Sequence, residues 1–218
     1  MAKSKVATLD QALAKINDGM TVMFGGFTNI GSANKFCRAL ADKGVKDLHL
    51  IANDCGNDKQ DGIGTLILEH CVKEFTGSHV GLNPQVAVQM NEGTLKVNLV
   101  PQGTLAERIR CGGTGLGGVL TPTGVGTVVA EGKQEIEVNG KKYLLEPPLR
   151  AEVAVVKAWK ADSSGNLVYR RAAKNFNPMM AMAADFVIAE VEEIVEVGAI
   201  DPDLVCTPGV CVDMIVKL

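Results

Sequence analysis

The sequence predicts an α/β fold, in which an open, mainly parallel sheet is flanked by helices and carries an antiparallel hairpin insert, as a single domain over residues 1–218. Three observations lead there. Short apolar, β-branched runs alternate with stretches of helical periodicity between residues 20 and 110, the cadence of parallel strands joined by crossover helices. Asn139-Gly140, the preferred dipeptide of a tight type I′ turn, separates two short strand-like runs and places an antiparallel hairpin inside the chain. Finally, 218 residues, 46% of them hydrophobic, suffice for one full core, and no repeat or linker divides them.

Thr8 and Gln11 have capping-box spacing, with Leu9, Leu13 and Ile16 at helical intervals and Gly19 placed to end the helix. Residues 20–24 then form a strand that stops at Gly25-Gly26. Ser32 is placed to cap a second helix through Phe36, Cys37 and Leu40 to Gly44. The cadence repeats with a strand over 48–52, a helix over 65–71 and a strand over 74–80. Asn83-Pro84 opens a helix to Met90, and a strand over 95–100 precedes a helix over 105–109. A long glycine-rich connection follows, from Cys111 to Gly118 and on through Thr121 to Gly126; loops of that length are usually functional. Beyond the hairpin, residues 153–158 read as a buried strand, 162–166 as a turn, Asn177-Pro178 as the cap and first-turn proline of a helix, and 186–191 as a strand.

Composition excludes several classes of function. Lys plus Arg number 22 against 25 for Asp plus Glu, a net charge of −3 that lacks the basic excess of a dedicated nucleic-acid binder. No apolar stretch approaches the roughly 18 residues of a membrane span. Met1-Ala2-Lys3-Ser4-Lys5-Val6 is followed by neither an apolar run nor a small-residue cleavage site, so a cytoplasmic protein is expected. The six cysteines form no C-x-x-C pair and are expected to be free buried thiols. No H-E-x-x-H or G-x-S-x-G is present, and no metal site is expected. His49 and His70 suit structural roles, whereas His79 is the one histidine near an expected strand end. Met179, Met180 and Met182 suit core filling.

Two segments are candidates for chemistry. Gly25, Gly26, Phe27, Thr28, Asn29, Ile30 and Gly31 lie between a strand and a helix, where missing Cβ atoms allow a ligand to approach the backbone and a helix start offers free N–H groups. A tight strand-to-helix turn wants glycine as well, so the residues by themselves leave ligand binding and packing equally open. The spacing is neither G-x-G-x-x-G nor a P-loop. Gln102 and Gly103 sit at the carboxyl end of the 95–100 strand, the edge at which open α/β sheets bind ligands. There the Gln102 amide can donate to an oxyanion; a solvated loop residue or helix cap is the plainer alternative.

The residues 18–27, Asp-Gly-Met-Thr-Val-Met-Phe-Gly-Gly-Phe, with Gly31 beyond them, resemble the first signature of the short-chain 3-oxoacid CoA-transferases. Residues 101–113, the glycines of 115–118, Thr121-Pro122-Thr123-Gly124-Val125-Gly126-Thr127 and Asn175-Phe176-Asn177-Pro178 extend the resemblance along the chain to the alpha subunit of the acetate or butyrate to acetoacetate type. One departure is that the signature ends Gly-x-Pro, whereas here it reads Gly31-Ser32-Ala33. The resemblance implies a CoA-transferase-like fold and a ping-pong transfer through a glutamyl-CoA thioester. It implies coenzyme A as a substrate moiety rather than a permanently bound cofactor, and acyl-CoA and short-chain carboxylates as substrates. In two-subunit members the nucleophilic glutamate lies in a Ser-Glu-Asn-Gly motif of the beta subunit, and that motif does not occur here. No catalytic residue is therefore expected in this chain, and a beta-subunit partner, as an alpha2beta2 heterotetramer, is. The same architecture also serves ligand sensors and sugar-phosphate isomerases. No appended DNA-binding helix-turn-helix supports a regulator, and a thermal-shift comparison of acyl-CoA with ribose 5-phosphate separates the two remaining readings.

Overall fold

Thr8 opens the first helix through a reciprocal capping box. Its hydroxyl accepts the Gln11 N–H at 3.2 Å, and the Gln11 side-chain oxygen accepts the Thr8 N–H at 3.0 Å. Helix α1 (Leu9–Leu13) nevertheless ends well before Gly19, because the Lys43 ammonium takes the Leu13 and Ile16 carbonyls at 2.9 and 2.5 Å and closes the turn early. The computed structural model describes residues 4–59 and 61–218; Met1, Ala2 and Lys3, which entered the expectation of no signal segment, lie outside the described residues.

The chain continues as β1 (Thr21–Phe24), α2 (Asn34–Asp42), β2 (Leu48–Ala52), α3 (Gly62–Leu68), β3 (Val72–Gly77), α4 (Pro84–Asn91), β4 (Lys96–Leu99) and α5 (Gln102–Thr114). It then runs through β5 (Val119–Thr121), β6 (Glu135–Val138), β7 (Lys141–Glu146), β8 (Ala151–Asp162), β9 (Leu167–Val168), α6 (Asn177–Met182), β10 (Ala184–Val195) and β11 (Met214–Lys217). The main sheet has the order β11-β10-β8-β1-β2-β3-β4, parallel along this path, with β9 antiparallel to β8 at one end. Strand β1 is the switch point: the chain steps from it toward β4 in its first half and builds β8, β10 and β11 on its other side.

Alternation along the strands sorts the core into two layers. Val22 and Phe24 of β1 pack with α1 to α4, whereas Met23 between them packs with Leu105 and Ile109 of α5 and Met180 of α6. The sheet is therefore covered on both faces, which is why its strands read as continuous apolar runs. Strands β8 and β10 outlast the apolar runs at 153–158 and 186–191, and beyond those runs Lys160 faces and pairs with Glu193 at 2.9 Å.

The insert is as expected: Asn139 and Gly140 have φ of 52° and 74°, the left-handed pair of a type I′ turn, and β5 joins β6 and β7 as a third antiparallel strand. Helix α5 departs from expectation at both ends. It starts at Gln102 itself and absorbs Cys111, Gly112 and Gly113, so the first half of the expected glycine loop is helix. Those glycines serve packing, since a Cβ on Gly112 would lie 1.9 Å from the Leu149 carbonyl oxygen. Helix α3 likewise lies three residues earlier than its apolar pattern suggested, opened by Gly62 in a left-handed conformation (φ 54°). All six cysteines are free, but only Cys37, Cys55, Cys71 and Cys111 are buried, Cys206 and Cys211 being half-buried; no helix among the described residues is long and apolar enough to cross a membrane.

Candidate active site at the carboxyl edge of the sheet

Strands β1 to β4 end on a common edge, and the first polar residues after them meet there. Past β1, Phe27 and Ile30 exchange two backbone hydrogen bonds of 3.0 Å, a tight turn with Thr28 at φ 52°. Its tip faces outward, with Phe27 47% and Ile30 53% exposed. Past β2 come Asn53 and Asp54, both buried. Past β3 comes Ser78, followed by exposed His79, whose backbone bridges to Asp54. Past β4 comes Gln102, the first residue of α5.

These residues form one chain of hydrogen bonds. The Asp54 carboxylate accepts the Thr28 backbone N–H at 2.7 Å, the Asn53 amide at 2.7 Å and the Gly56 backbone N–H at 2.9 Å. Asn53 Oδ1 accepts from Gln102 Nε2 at 2.5 Å, and the Ser78 hydroxyl lies in hydrogen-bond contact with Gln102 Oε1. Gln102 and the 25–31 loop, which the sequence offered as separate candidates, are thus joined through Asn53 and Asp54. Burial first, and then the adjacent Asp54 carboxylate, push the Cys55 thiol up to about 12 and keep it protonated.

The glycines of the 25–31 loop are explained by protein rather than by open space. A Cβ on Gly25 would lie 1.8 Å from Asn177 Oδ1, one on Gly26 (φ 128°) 2.3 Å from Ser32 Oγ, and one on Gly31 2.8 Å from the Ala173 carbonyl oxygen. Exposed surface in the loop falls to its tip. Ser32 does not cap α2: its hydroxyl donates to the Thr28 carbonyl at 2.9 Å, and the N-cap position is Ala33, without a capping side chain. The helix start is satisfied from the neighbouring strand instead, the buried Glu190 carboxylate accepting the Phe36 N–H at 2.9 Å while Lys157 pairs with it at 3.1 Å. Asn177 is not a cap either. It is the first helical residue of α6, fully buried, accepting the Lys157 N–H at 2.9 Å and donating to the Gly31 and Ala173 carbonyls at 3.0 and 2.8 Å.

Gly103, beside Gln102, opens onto a cleft of about 260 Å³ between α5 and β5, lined also by Thr104, Glu107, Leu120 and Thr121; nothing lies within 4 Å of the place its Cβ would take. Glu107 and Glu74 have other occupations. Glu107 pairs with Arg110 at 2.7 Å, and Glu74 is bound by Lys96 and Asn98, whose hydrogen bonds hold its carboxyl below the ordinary range. Sequence reasoning passed over Asn53, Asp54 and Ser78, although their position as the first polar residues after apolar strands was a usable signal.

Residues 6–218 match the family model described as Coenzyme A transferase. The chain is 50% identical over 214 residues to the acetate CoA-transferase subunit alpha of Escherichia coli (strain K12), covering 98% of this chain and 97% of that protein. It is 45% identical over 214 residues to the acetoacetyl-CoA:acetate/butyrate CoA transferase alpha subunit of Clostridium acetobutylicum, covering 98% of each. Among solved structures, an acyl-CoA transferase of Escherichia coli O157:H7, in a thioester complex with CoA, shares the fold with a TM-score of 0.88 at 23% identity, over 99% of this chain and 47% of that one. With a family model matched over residues 6–218 and relatives 45–50% identical over 98% of its length, this chain belongs to the coenzyme A transferase family.

Proposed function

We propose that this chain is the alpha subunit of a two-subunit CoA-transferase that moves CoA between a short-chain acyl-CoA, acetyl-CoA or butyryl-CoA, and acetoacetate or another short-chain carboxylate. The observation that carries this reading is the end-to-end correspondence with two proteins named as alpha subunits of such enzymes. The sensor and isomerase readings have no comparable support.

The nucleophile is a glutamate carboxylate of the beta subunit. It attacks the acyl-CoA carbonyl and expels CoA thiolate, leaving an acyl-glutamyl anhydride; the thiolate then attacks the glutamyl carbonyl, releasing the first carboxylate and leaving a glutamyl-CoA thioester. An acceptor carboxylate reverses both steps. Gln102 uses one amide N–H on Asn53 and offers the second to the oxygen on which charge develops, with Gly103 leaving room beside it. The exposed tip of the 25–31 loop, rather than its buried glycines, faces CoA. An anhydride is lost to water in an open groove, so closure by the partner is part of the chemistry. The unit is one domain in an alpha2beta2 assembly in the cytoplasm, with CoA as the moving group and no permanently bound cofactor.

The test is to express the chain with and without the beta subunit and to follow acetoacetyl-CoA formation from acetoacetate and butyryl-CoA, together with native mass. Activity is expected only from the pair. Full activity of the isolated chain, or a glutamyl-CoA adduct trapped on it, overturns the two-subunit reading.

A further inference from the structure

Asp54 is 3% exposed and cannot touch a substrate, yet it stands at the junction between the two segments that form the site edge. Its hydrogen-bond partners are all uncharged N–H groups: Thr28 and Asn53 on one oxygen, Gly56 on the other. Their chemistry fixes more than their distances do. A carboxylate only accepts, so the Asn53 atom 2.7 Å from it has to be Nδ2, which turns Oδ1 toward Gln102. Only the nitrogen of the Gln102 amide can then stand 2.5 Å from Asn53 Oδ1. Gln102 Oε1 is left facing the Ser78 hydroxyl. The same hydroxyl stands 2.7 Å from the Asn53 backbone carbonyl, which also accepts the Ser78 N–H at 2.9 Å; its single proton can serve either oxygen, so the ordering of the amides comes from the Asp54 end.

Without an obligate acceptor at one end, such a chain of amides is satisfied equally well in either sense, since each amide can rotate by half a turn and exchange its donor and acceptor ends. Reversal would bring Gln102 Oε1 to Asn53 and move the donor end of Gln102. The same Asp54 oxygen that orders the amides also holds the Thr28 N–H, so the left-handed turn of the 25–31 loop and the orientation of Gln102 are set by one group.

We propose that Asp54 is a positioning residue for CoA transfer, fixing through Asn53 which end of the Gln102 amide is presented to the reacting thioester or carboxylate. This rests on the role given to Gln102 above. The experiment is therefore a double-mutant cycle in the alpha-beta complex, read as kcat and KM for butyryl-CoA with acetoacetate. Asp54→Ala frees Asn53 to rotate and is expected to lower kcat on the order of 10 to 100-fold, while loss of the Thr28 contact is read separately as a rise in KM. Asp54→Asn keeps an oxygen for Thr28 and Asn53 at the loss of the Gly56 contact, and is expected to restore kcat to within about fivefold of wild type. In a Gln102→Ala background, Asp54→Ala should lower kcat by less than about threefold more, because its route to the chemistry through Asn53 and Gln102 is already gone. If Asp54→Ala does not assemble with its partner, Asn53→Ala cuts the same chain one link closer to Gln102 and should show the same non-additivity. A full, additive loss in the Gln102→Ala background, or unchanged kcat in assembled Asp54→Ala, overturns the proposal. A silent Gln102→Ala instead overturns the role of Gln102 itself.

Discussion

Asn177 Oδ1 occupies the place of the missing Gly25 side chain: a Cβ built there would lie 1.8 Å from it. The same amide accepts the Lys157 N–H on β8 and donates to the Gly31 carbonyl, so it locks β1, β8 and the loop between β1 and α2 at the switch point of the sheet. Gly25→Ala is expected to destabilise the chain, because its Cβ also meets the Asn177 backbone at 3.2 Å. Asn177→Ala leaves the Lys157 N–H and the Gly31 and Ala173 carbonyls unpaired and, at about 1–3 kcal/mol for each orphaned group, should cost roughly 3 kcal/mol or more. In the double variant the space is vacated, so the two losses should fall short of their sum by about 1 kcal/mol or more in denaturant midpoints. Strict additivity would show that the two sites do not share that space.

Glu190 is a helix cap supplied by a strand. Glu190→Ala removes both the Phe36 acceptor and the nearer partner of Lys157, which keeps only Glu192 at 3.8 Å; breaking a buried pair typically costs about 3–5 kcal/mol, and the remaining partner places this loss toward the lower end. Glu190→Gln keeps an oxygen for Phe36 and should lose measurably less in equilibrium unfolding. Equal losses would mean that the cap contributes nothing.

His49 makes stability depend on pH. Burial holds its imidazole below the ordinary histidine range, outweighing the Glu74 carboxylate that pulls it upward, and its Nε2 meets Thr76 Oγ1 at 2.9 Å. The unfolded chain therefore takes up a proton first, at about 6.5. The contribution of neutral His49 is complete above that pH and is lost progressively as the pH falls below it. Glu74, held low by Lys96 and Asn98, adds a second loss at more acid pH, as it becomes protonated. His49→Gln should flatten the fall in stability as the pH drops below about 6.5; an unchanged slope would assign it to other groups.

At the site edge, Gln102→Ala in the alpha-beta complex should lower kcat by about 100 to 1000-fold, the usual effect of losing an oxyanion donor. Less than a threefold change would leave Gln102 as a helix-start residue with no part in the chemistry.

The proposed contact of the 25–31 loop with CoA is best tested at its tip. Gly26→Val would overlap Ser32 at a φ of 128° and reports on folding, whereas Phe27 is half exposed. Phe27→Ala should raise KM for acyl-CoA about tenfold, as burying a large apolar side chain contributes about 1.5–3 kcal/mol, with little change in melting temperature. An unchanged KM would return the loop to a purely structural role.

Whatever depends on neighbours along the chain was legible in the sequence by itself. The apolar run of β2 was bounded to the residue, Asn83 and Pro84 do open α4, Asn139-Gly140 does turn the hairpin, and Thr8 with Gln11 does cap α1. Capping, turn chemistry and strand alternation are settled within a few residues. The tertiary structure alone decided what crosses between elements. Ser32 and Asn177 carry the chemistry of caps, yet their side chains are drawn to the Thr28 carbonyl and to β8, while a glutamate from β10 supplies the missing cap. The glycines of the 25–31 loop look the same in sequence whether a ligand or an asparagine fills the space beside them. Asn53 and Asp54 read as two polar residues after a strand; they became part of a site only when parallel pairing of β1 to β4 brought four strand ends to one edge, where each buried polar group had to find its partner in another strand's loop.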